Sequence, residues 1–436
     1  MNIREFIIFG LSGQCGHDLK RLTSACSFIV DEPPSERVIL ERFSSIFEYA
    51  RQQVPYYNQK FKHVFAPQSL YVIEAIRDIP CITREEIIRH SVLSRQGRPV
   101  TSLESGGTTG GKIKTHLDLT YLLDRYGSLL RILYALGWTM GEPIAALHPE
   151  EYRISRYLKT KEIRRFIFEA FLQYAIYRLF HNRVNIYYGR SCFSNVSPHN
   201  FKKKIERLGA RLLITRPDIL LAWIKQLSGS SELPAPVPVV LCVGNILTAS
   251  AKALVEEMLG CSCHNMYAST EMGYVGLSCK HSGEWVHIDE DNYFVEIDTA
   301  GSSEIIITDF RNRAMPLIRY RTGDVGNLQE GFCPCGRKGK SLKVLGRVNR
   351  FILNERGERV YESGIVDIIS TLPGVSGLQI RKMPHNQLTV RMRSFQSGIG
   401  ALDSLAKALG VRRESLSFDP DSNFLMSDSG KFPYIC

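Results

Sequence analysis

Three observations predict an α/β architecture with mixed sheets and crossover helices. Short apolar runs at 211–214, 237–242 and 263–267 have the length and composition of buried strands. The intervening segments 218–227 and 250–259 place apolar residues at helical spacing, and strands that alternate with helices imply a parallel sheet. Farther on, 285–288, 293–297 and 304–308 alternate apolar with polar residues, which is the pattern of antiparallel strands with one face in the core.

The elements before this region are helical. Residues 1–100 read as amphipathic helix, most clearly at 38–51 and 84–95, where Thr83 is placed to cap the second helix with Glu86 three positions on. Residues 118–136 follow with leucines and tyrosines at helical spacing. The stretch 152–188 is basic and aromatic, carrying Lys159, Lys161, Arg164, Arg165, Phe166, Phe168, Phe171 and Tyr174. It reads either as a packed helix with a solvated cationic face or as a docking face for an acidic carrier protein or an anionic lipid surface. There is no internal repeat.

Composition limits the function classes. At 436 residues, two or three domains are expected, and 44% hydrophobic with 23% charged residues is ordinary for a globular chain. No apolar run approaches the roughly 20 residues that span a bilayer. The first residues, with Glu5 and only a short apolar run, do not resemble a secretory signal, so a cytoplasmic location is expected. Eleven scattered cysteines then imply reduced thiols or a metal cluster rather than disulfides. The net charge of +11 suits an anionic partner, but no nucleic-acid-binding signature accompanies it, so no nucleic-acid partner is expected.

The most informative motif is Ser105-Gly106-Gly107-Thr108-Thr109-Gly110-Gly111-Lys112. Glycines let a ligand approach the main chain closely, and successive inward N–H groups make an anion-binding concavity. From Gly106 the run nearly fits the phosphate loop of nucleotide hydrolases. That motif needs a magnesium-binding hydroxyl after the lysine, and this chain has Ile113. The alternative is a Ser/Thr/Gly loop from Ser105 to Gly110 that holds the phosphates in a different way.

Four further motifs follow in order: Tyr267-Ala268-Ser269-Thr270-Glu271, Tyr320-Arg321-Thr322-Gly323-Asp324, Gly346-Arg347-Val348-Asn349-Arg350 and Ser429-Gly430-Lys431. With the glycine-rich loop, they resemble the signatures of adenylate-forming enzymes, the acyl- and aryl-CoA synthetases. Leu317-Ile318-Arg319-Tyr320 and Cys333-Pro334-Cys335-Gly336-Arg337 are most similar to the phenylacetate–CoA ligase-like branch, which includes CapK-like proteins of polysaccharide loci. The chain departs from the family pattern at Gly106, Lys112, Ala268 and Asn349. It also reads Gly244-Asn245-Ile246-Leu247 where the family has Gly-Glu-Pro-Leu.

The resemblance implies a large N-terminal adenylation domain over 1–345 and a small mobile α+β domain over 346–436. The implied reaction joins a carboxylic acid to the α-phosphate of ATP and expels pyrophosphate. Two anions must meet, so donors and a metal have to offset their charge. Ser105, Gly107, Thr108, Thr109 and Gly110 are then the phosphate cradle. Thr270 donates to a phosphate oxygen, with Ser269 beside it, and Glu271 holds Mg²⁺. Tyr267 faces adenine, with Gly244 also in the nucleotide site, and Asp324 accepts from the ribose hydroxyls. Arg347 contacts ribose or phosphate, and Lys431 bridges carboxylate and α-phosphate in the transition state. Thr108, Glu271 and Lys431 are the expected catalytic residues. The acid, aromatic or of medium length, is expected near 126–138, 243–245 and 266–273. Its acyl group passes to a thiol, of which coenzyme A is the branch's usual one. An acidic acyl carrier protein or an amine or hydroxyl acceptor remains open. From another class, a non-catalytic nucleotide-binding assembly protein would have no chemical need for Lys431.

A second constellation comprises Cys279, Cys333 and Cys335 with a histidine. Three thiolates and one imidazole make a closed tetrahedral zinc site, completed by His287 or by His281.

Overall fold

A computed structural model of the protein describes residues 32–64, 73–105, 111–139, 141–149, 183–188, 203, 205–227, 237–394, 398–419, 424–425 and 432–436. The chain forms two compact units, each assembled from separate stretches. One holds the described residues of Ile3–Gly137 and Met266–Lys343, and the other those of Trp138–Asn265 and Val344–Cys436.

The first unit begins with α1 (Glu36–Gln53), which buries Ile39, Phe43, Ile46, Phe47 and Ala50 along one helical stripe. Extended Val54 and then Pro55 break the helix and start α2 (Pro55–Lys60). The Phe47, Tyr57 and Phe61 rings pack together, with Phe61 5.0 Å from Phe47 and 5.1 Å from Tyr57. Next comes α3 (Arg84–Arg89), whose Thr83 and Glu86 form the expected reciprocal capping box. This helix is shorter than the sequence suggests. His90 turns extended and stacks on Tyr56, and beyond it Val92 and Ser94 are buried. The strands β1 (Thr101–Glu104) and β2 (Lys114–Leu117) pair antiparallel, with Glu104 opposite Lys114, and so bracket the glycine-rich loop. Asp118 then caps α4 (Leu119–Ala135) by accepting from the Tyr121 amide at 2.8 Å.

In the second unit, β3 (Ile144–Pro149) pairs in parallel with β4 (Arg183–Tyr188) and β5 (Leu212–Thr215). After β5 comes α5 (Pro217–Leu227), and β6 (Val239–Val243) returns parallel to β5. The helix α6 (Ala249–Leu259) is capped by Thr248 and stopped by left-handed Gly260. This is the parallel sheet with crossover helices that the alternating pattern predicts. Of the basic stretch 152–188, residues 152–182 lie outside the described ones.

The strand β7 (Ser262–Ser269) leads back to the first unit, followed by β8 (Gly273–Leu277), β9 (Val286–Ile288), β10 (Tyr293–Ile297), β11 (Glu304–Asp309), β12 (Tyr320–Glu330) and β13 (Lys340–Arg347). Their order in the sheet is β10-β11-β12-β13-β9-β8-β7. The pairs β7/β8, β8/β9, β9/β13, β10/β11 and β11/β12 are antiparallel as expected, but β9, β10 and β11 bury residues on both faces rather than on alternate positions.

The chain ends in the second unit. The hairpin β14 (Phe351–Leu353) and β15 (Arg359–Tyr361) leads into α7 (Glu362–Thr371). There follow β16 (Val375–Lys382), β17 (Leu388–Ser394), α8 (Gly398–Leu409) and β18 (Leu416–Phe418), with the three strands in one sheet. Leu220, Val240 and Val255 share an apolar core with Ile365, Leu378 and Leu405. Polar links join the same elements: Lys225 Nζ donates to the carbonyls of Ser370 and Leu372 at the end of α7, and Ser250 donates to Asp367.

Candidate active site

In the first unit, Arg84, Ser105, Gly111, Ile113 and Glu271 meet at the ends of the glycine-rich loop. Ser105 and Ile113 pair across its mouth: Ser105 N–H donates to the Ile113 carbonyl at 2.8 Å, and Ile113 N–H donates to Ser105 Oγ at 3.0 Å. Ile113 itself is buried, so the side chain that rules out a hydrolase-type loop is a core residue here. Gly107, Thr108, Thr109 and Gly110 lie outside the described residues, as does Gly106. Lys112 is exposed and 3.9 Å from Glu104, an ion pair of little energetic weight.

Arg84, the first residue of α3, joins this mouth to the Thr-Glu motif. Its guanidinium donates to Ser105 Oγ at 2.8 Å, to the Gly111 carbonyl at 2.9 Å and to Glu271 Oε1 at 3.2 Å. One cation therefore touches both lips of the loop and the carboxylate expected to bind metal. Its Nε is enclosed with no hydrogen-bond partner among the described residues. Glu271 is only 7% exposed, so its charge is held by Arg84 rather than by bulk water. The sequence carried no motif signal for Arg84 beyond the capping box at whose first helical position it stands.

Glu271 sits in the three-residue connection between β7 and β8, where Ser269 faces Gly273. Ser269 Oγ accepts from the Met272 amide at 3.0 Å, so this hydroxyl shapes the turn. Thr270 precedes Glu271, and its carbonyl accepts from Arg125 at 2.9 Å. Tyr267, on β7, donates its hydroxyl to Asp324 Oδ2 at 2.8 Å. Asp324 stands on β12 next to a local bulge. There Gly323 takes φ +76°, and its amide donates to Glu304 at 2.9 Å. Both ends of the Tyr267–Asp324 pair are half-buried, so each can reach a ligand.

The second unit carries the other expected residues. Gly244 is exposed with φ +86°, in the turn after β6. Arg347 ends β13, and its carbonyl accepts from the Arg350 amide at 3.0 Å. Ser429, Gly430 and Lys431 lie outside the described residues. The residue after them, Phe432, has its carbonyl 3.4 Å from the donating amide nitrogen of Asn245.

Cys279, His287, Cys333 and Cys335 converge so that one ligand atom from each lies within 4.8 Å of all the others. Cys279 and Cys333 sulfurs are 3.6 Å apart, close to the ~3.8 Å edge of a tetrahedron with 2.3 Å zinc–sulfur bonds. His287 Nε2 lies 3.5 Å from Cys335 Sγ, and its other nitrogen is 3.3 Å from Ser341 Oγ, a partner able to fix the ring. His281 is exposed, so of the two expected histidines it is His287 that joins the cluster. The turn 333–337 holds the two thiols, closed by Cys333 N–H to the Arg337 carbonyl at 2.9 Å. Burial alone would raise the Cys279 thiol, but donors from His287, Ser282 and the His281 amide outweigh it and bring it down to about 5.

Comparison with known proteins bears on the fold and the family. No family model matches the chain. A phenylacetate–coenzyme A ligase of Escherichia coli is 22% identical over 86% of this chain and 82% of its own length. One from Thermus thermophilus is 30% identical over 33% of each protein, so that alignment spans about a third of that enzyme. Among solved structures, a 2-hydroxyisobutyryl-CoA ligase in the postadenylation state superposes with a TM-score of 0.70 at 15% identity, over 92% of this chain and 89% of that one. ATP-bound MatB from Rhodopseudomonas palustris gives a TM-score of 0.50 at 14% identity, over 77% and 66%. At these identities the structures speak to fold alone. Fold and sequence together place the chain in the superfamily of adenylate-forming acyl-CoA ligases. Within it, the curated relatives are phenylacetate–coenzyme A ligases, and this chain is similar to them.

Proposed function

We propose that the protein activates a small carboxylic acid with ATP and passes the acyl group to coenzyme A. In the first step a carboxylate oxygen bonds to the α-phosphorus as the bond to pyrophosphate breaks. In the second, the thiol sulfur bonds to the acyl carbon, the bond to AMP breaks, and the thiol proton passes to solvent. The observation that carries the reading is the junction of Arg84 with Ser105, Gly111 and Glu271, because it gathers a cation and a carboxylate at the mouth of a phosphate-type loop.

Each residue has a task in this reading. Ser105 with Gly107, Thr108, Thr109 and Gly110 holds the departing phosphates, with Arg84 offsetting their charge. Thr270 and Ser269 line the same edge, Tyr267 faces the base, and Asp324 accepts from the ribose. Gly244 and Arg347 are assigned nucleotide contacts on sequence grounds alone. Glu271 fits magnesium: it is a hard oxygen ligand, nearly buried, with a cation as its present partner. Bound there, magnesium would neutralise phosphate charge. Lys431 supplies a cation in the transition state, which raises rate more than ground-state affinity. It is carried on the 346–436 segment, which we take to move between the two steps. Cys279, His287, Cys333 and Cys335 hold zinc as a structural tie.

The acid is aromatic or of medium length. ATP–pyrophosphate exchange across a carboxylic-acid panel that includes phenylacetate tests the first step. Thiol consumption with coenzyme A tests the second, and activity confined to the first step would turn the acceptor toward a carrier protein or an amine. No exchange with any acid sinks the proposal.

A further inference from the structure

The connection that carries Glu271 is held from behind by groups that none of the sequence motifs includes. Arg125, on α4, donates to the Thr270 carbonyl at 2.9 Å. On the other side of Glu271, the Met272 carbonyl accepts from Tyr293 at 2.6 Å and lies 3.0 Å from the Tyr121 hydroxyl, which also bonds Asp309. Arg311 donates to Tyr293 at 2.5 Å and lies over both tyrosine rings. Burial raises both phenols, so they stay protonated and remain donors. The two peptide carbonyls that flank Glu271 are thus fixed by three side chains from two elements.

Arg125 reaches Thr270 through a gap that a glycine keeps open. Gly273 has φ +84°, and a Cβ there would lie 3.0 Å from Arg125 Nε and 3.3 Å from its Cζ. The left-handed conformation favours glycine, and a Cβ would press on the Arg125 guanidinium. Arg125 does not itself contact the Glu271 carboxylate; Arg84 does.

We propose that Arg125 is a positioning residue for the metal- and phosphate-binding turn. It acts through the Thr270 carbonyl to aim the Thr270 hydroxyl and the Glu271 carboxylate, and Gly273 provides its path. This rests on the reading of Glu271 as the magnesium ligand. Partners that orient a metal ligand typically affect affinity about 10- to 100-fold. Arg125→Ala should raise half-saturating Mg²⁺ and ATP by that order, with little change in the KM for the acid or in the melting temperature. Arg125→Lys should recover part of the loss, and guanidinium added to Arg125→Ala should recover part as well.

The test is Mn²⁺·ATP binding by electron paramagnetic resonance, together with Mg²⁺ and ATP titrations of pyrophosphate exchange on the intact protein. Wild-type binding of Mn²⁺·ATP with an indistinguishable Arg125→Ala variant overturns the role of Arg125. So does a loss that raises the acid KM equally and is not relieved by lysine or guanidinium. Failure of the wild type itself to bind Mn²⁺·ATP overturns the metal-site reading instead, and the role falls with it.

Discussion

Arg84 and Glu271 are 187 residues apart in sequence, and the guanidinium of one lies 3.2 Å from the carboxylate of the other. The same guanidinium donates to Ser105 and Gly111, so a single side chain ties the mouth of the glycine-rich loop to the Thr-Glu turn. A lone carboxylate at 7% exposure would be costly to ionise without such a partner. The pairing therefore holds the Glu271 carboxylate against the mouth of the loop.

Arg84→Met is expected to lower kcat/KM for ATP by on the order of 10², the cost of losing one donor aimed at transferring charge. Arg84→Lys should retain more activity, because it keeps the charge but not the fork that spans two lips and a carboxylate. Pyrophosphate exchange at varied ATP measures both, and a Met variant with wild-type kcat/KM would remove Arg84 from the site.

Protein purified without chelators should contain one zinc per chain. Cys335→Ser should lose it and melt at a lower temperature. Ser341→Ala should keep zinc but bind it about 10- to 100-fold more weakly, since Ser341 lies against the far nitrogen of His287. Elemental analysis and a chelator titration read these outcomes. A metal-free wild type with an unchanged melting temperature after chelation would leave the four residues without that role.

The capping box at Glu86 gives stability a pH dependence. Burial alone would raise this carboxyl, but Lys60, Tyr56 and the Thr83 amide bring it from the usual 4.5 to about 2. A depressed carboxyl stabilises the fold above its unfolded value, and that contribution fades as pH falls from about 4.5 toward 2. Glu86→Gln should therefore cost about 1–2 kcal/mol at neutral pH, and the difference from wild type should shrink over that window. Chemical denaturation across pH checks it, and a gap that widens on acidification would contradict the assignment.

If Lys431 supplies its cation in the transition state as proposed, Lys431→Ala is expected to abolish pyrophosphate exchange while leaving ATP binding nearly intact. Thiol transfer from a pre-formed acyl-adenylate should survive. Equilibrium dialysis with ATP, paired with the exchange assay, separates the effects. Unchanged exchange would refute the role.

Much of the fold was legible because its signals are local. The 84–89 capping box, the helix read over 118–136 and the short apolar runs of β5, β6, β10 and β11 each specify themselves within a few residues. The end of α3 was not legible, because only tertiary contacts of His90, Val92 and Ser94 turn that chain away from helix. The zinc-type cluster was readable from residue chemistry, although exposure was needed to choose His287 over His281. Arg84, Arg125, Tyr121 and Tyr293 were missed for one reason. A single arginine or tyrosine on a helix or strand reads as solvated surface or core, and only folding brings it against a turn far away in sequence.

Lys225 donates to two carbonyls at the end of α7, where the helix has no further amides to satisfy them and its dipole is negative. With the Ser250–Asp367 bond, this anchors α7 to α5 and α6. If the 346–436 segment changes position between half-reactions, each turnover must uncap a helix and then cap it again. Lys225 would then act as a timer: a weaker grip would shorten the dwell in this arrangement and hasten the next step, while a stronger one would make the motion, rather than the chemistry, the slow event.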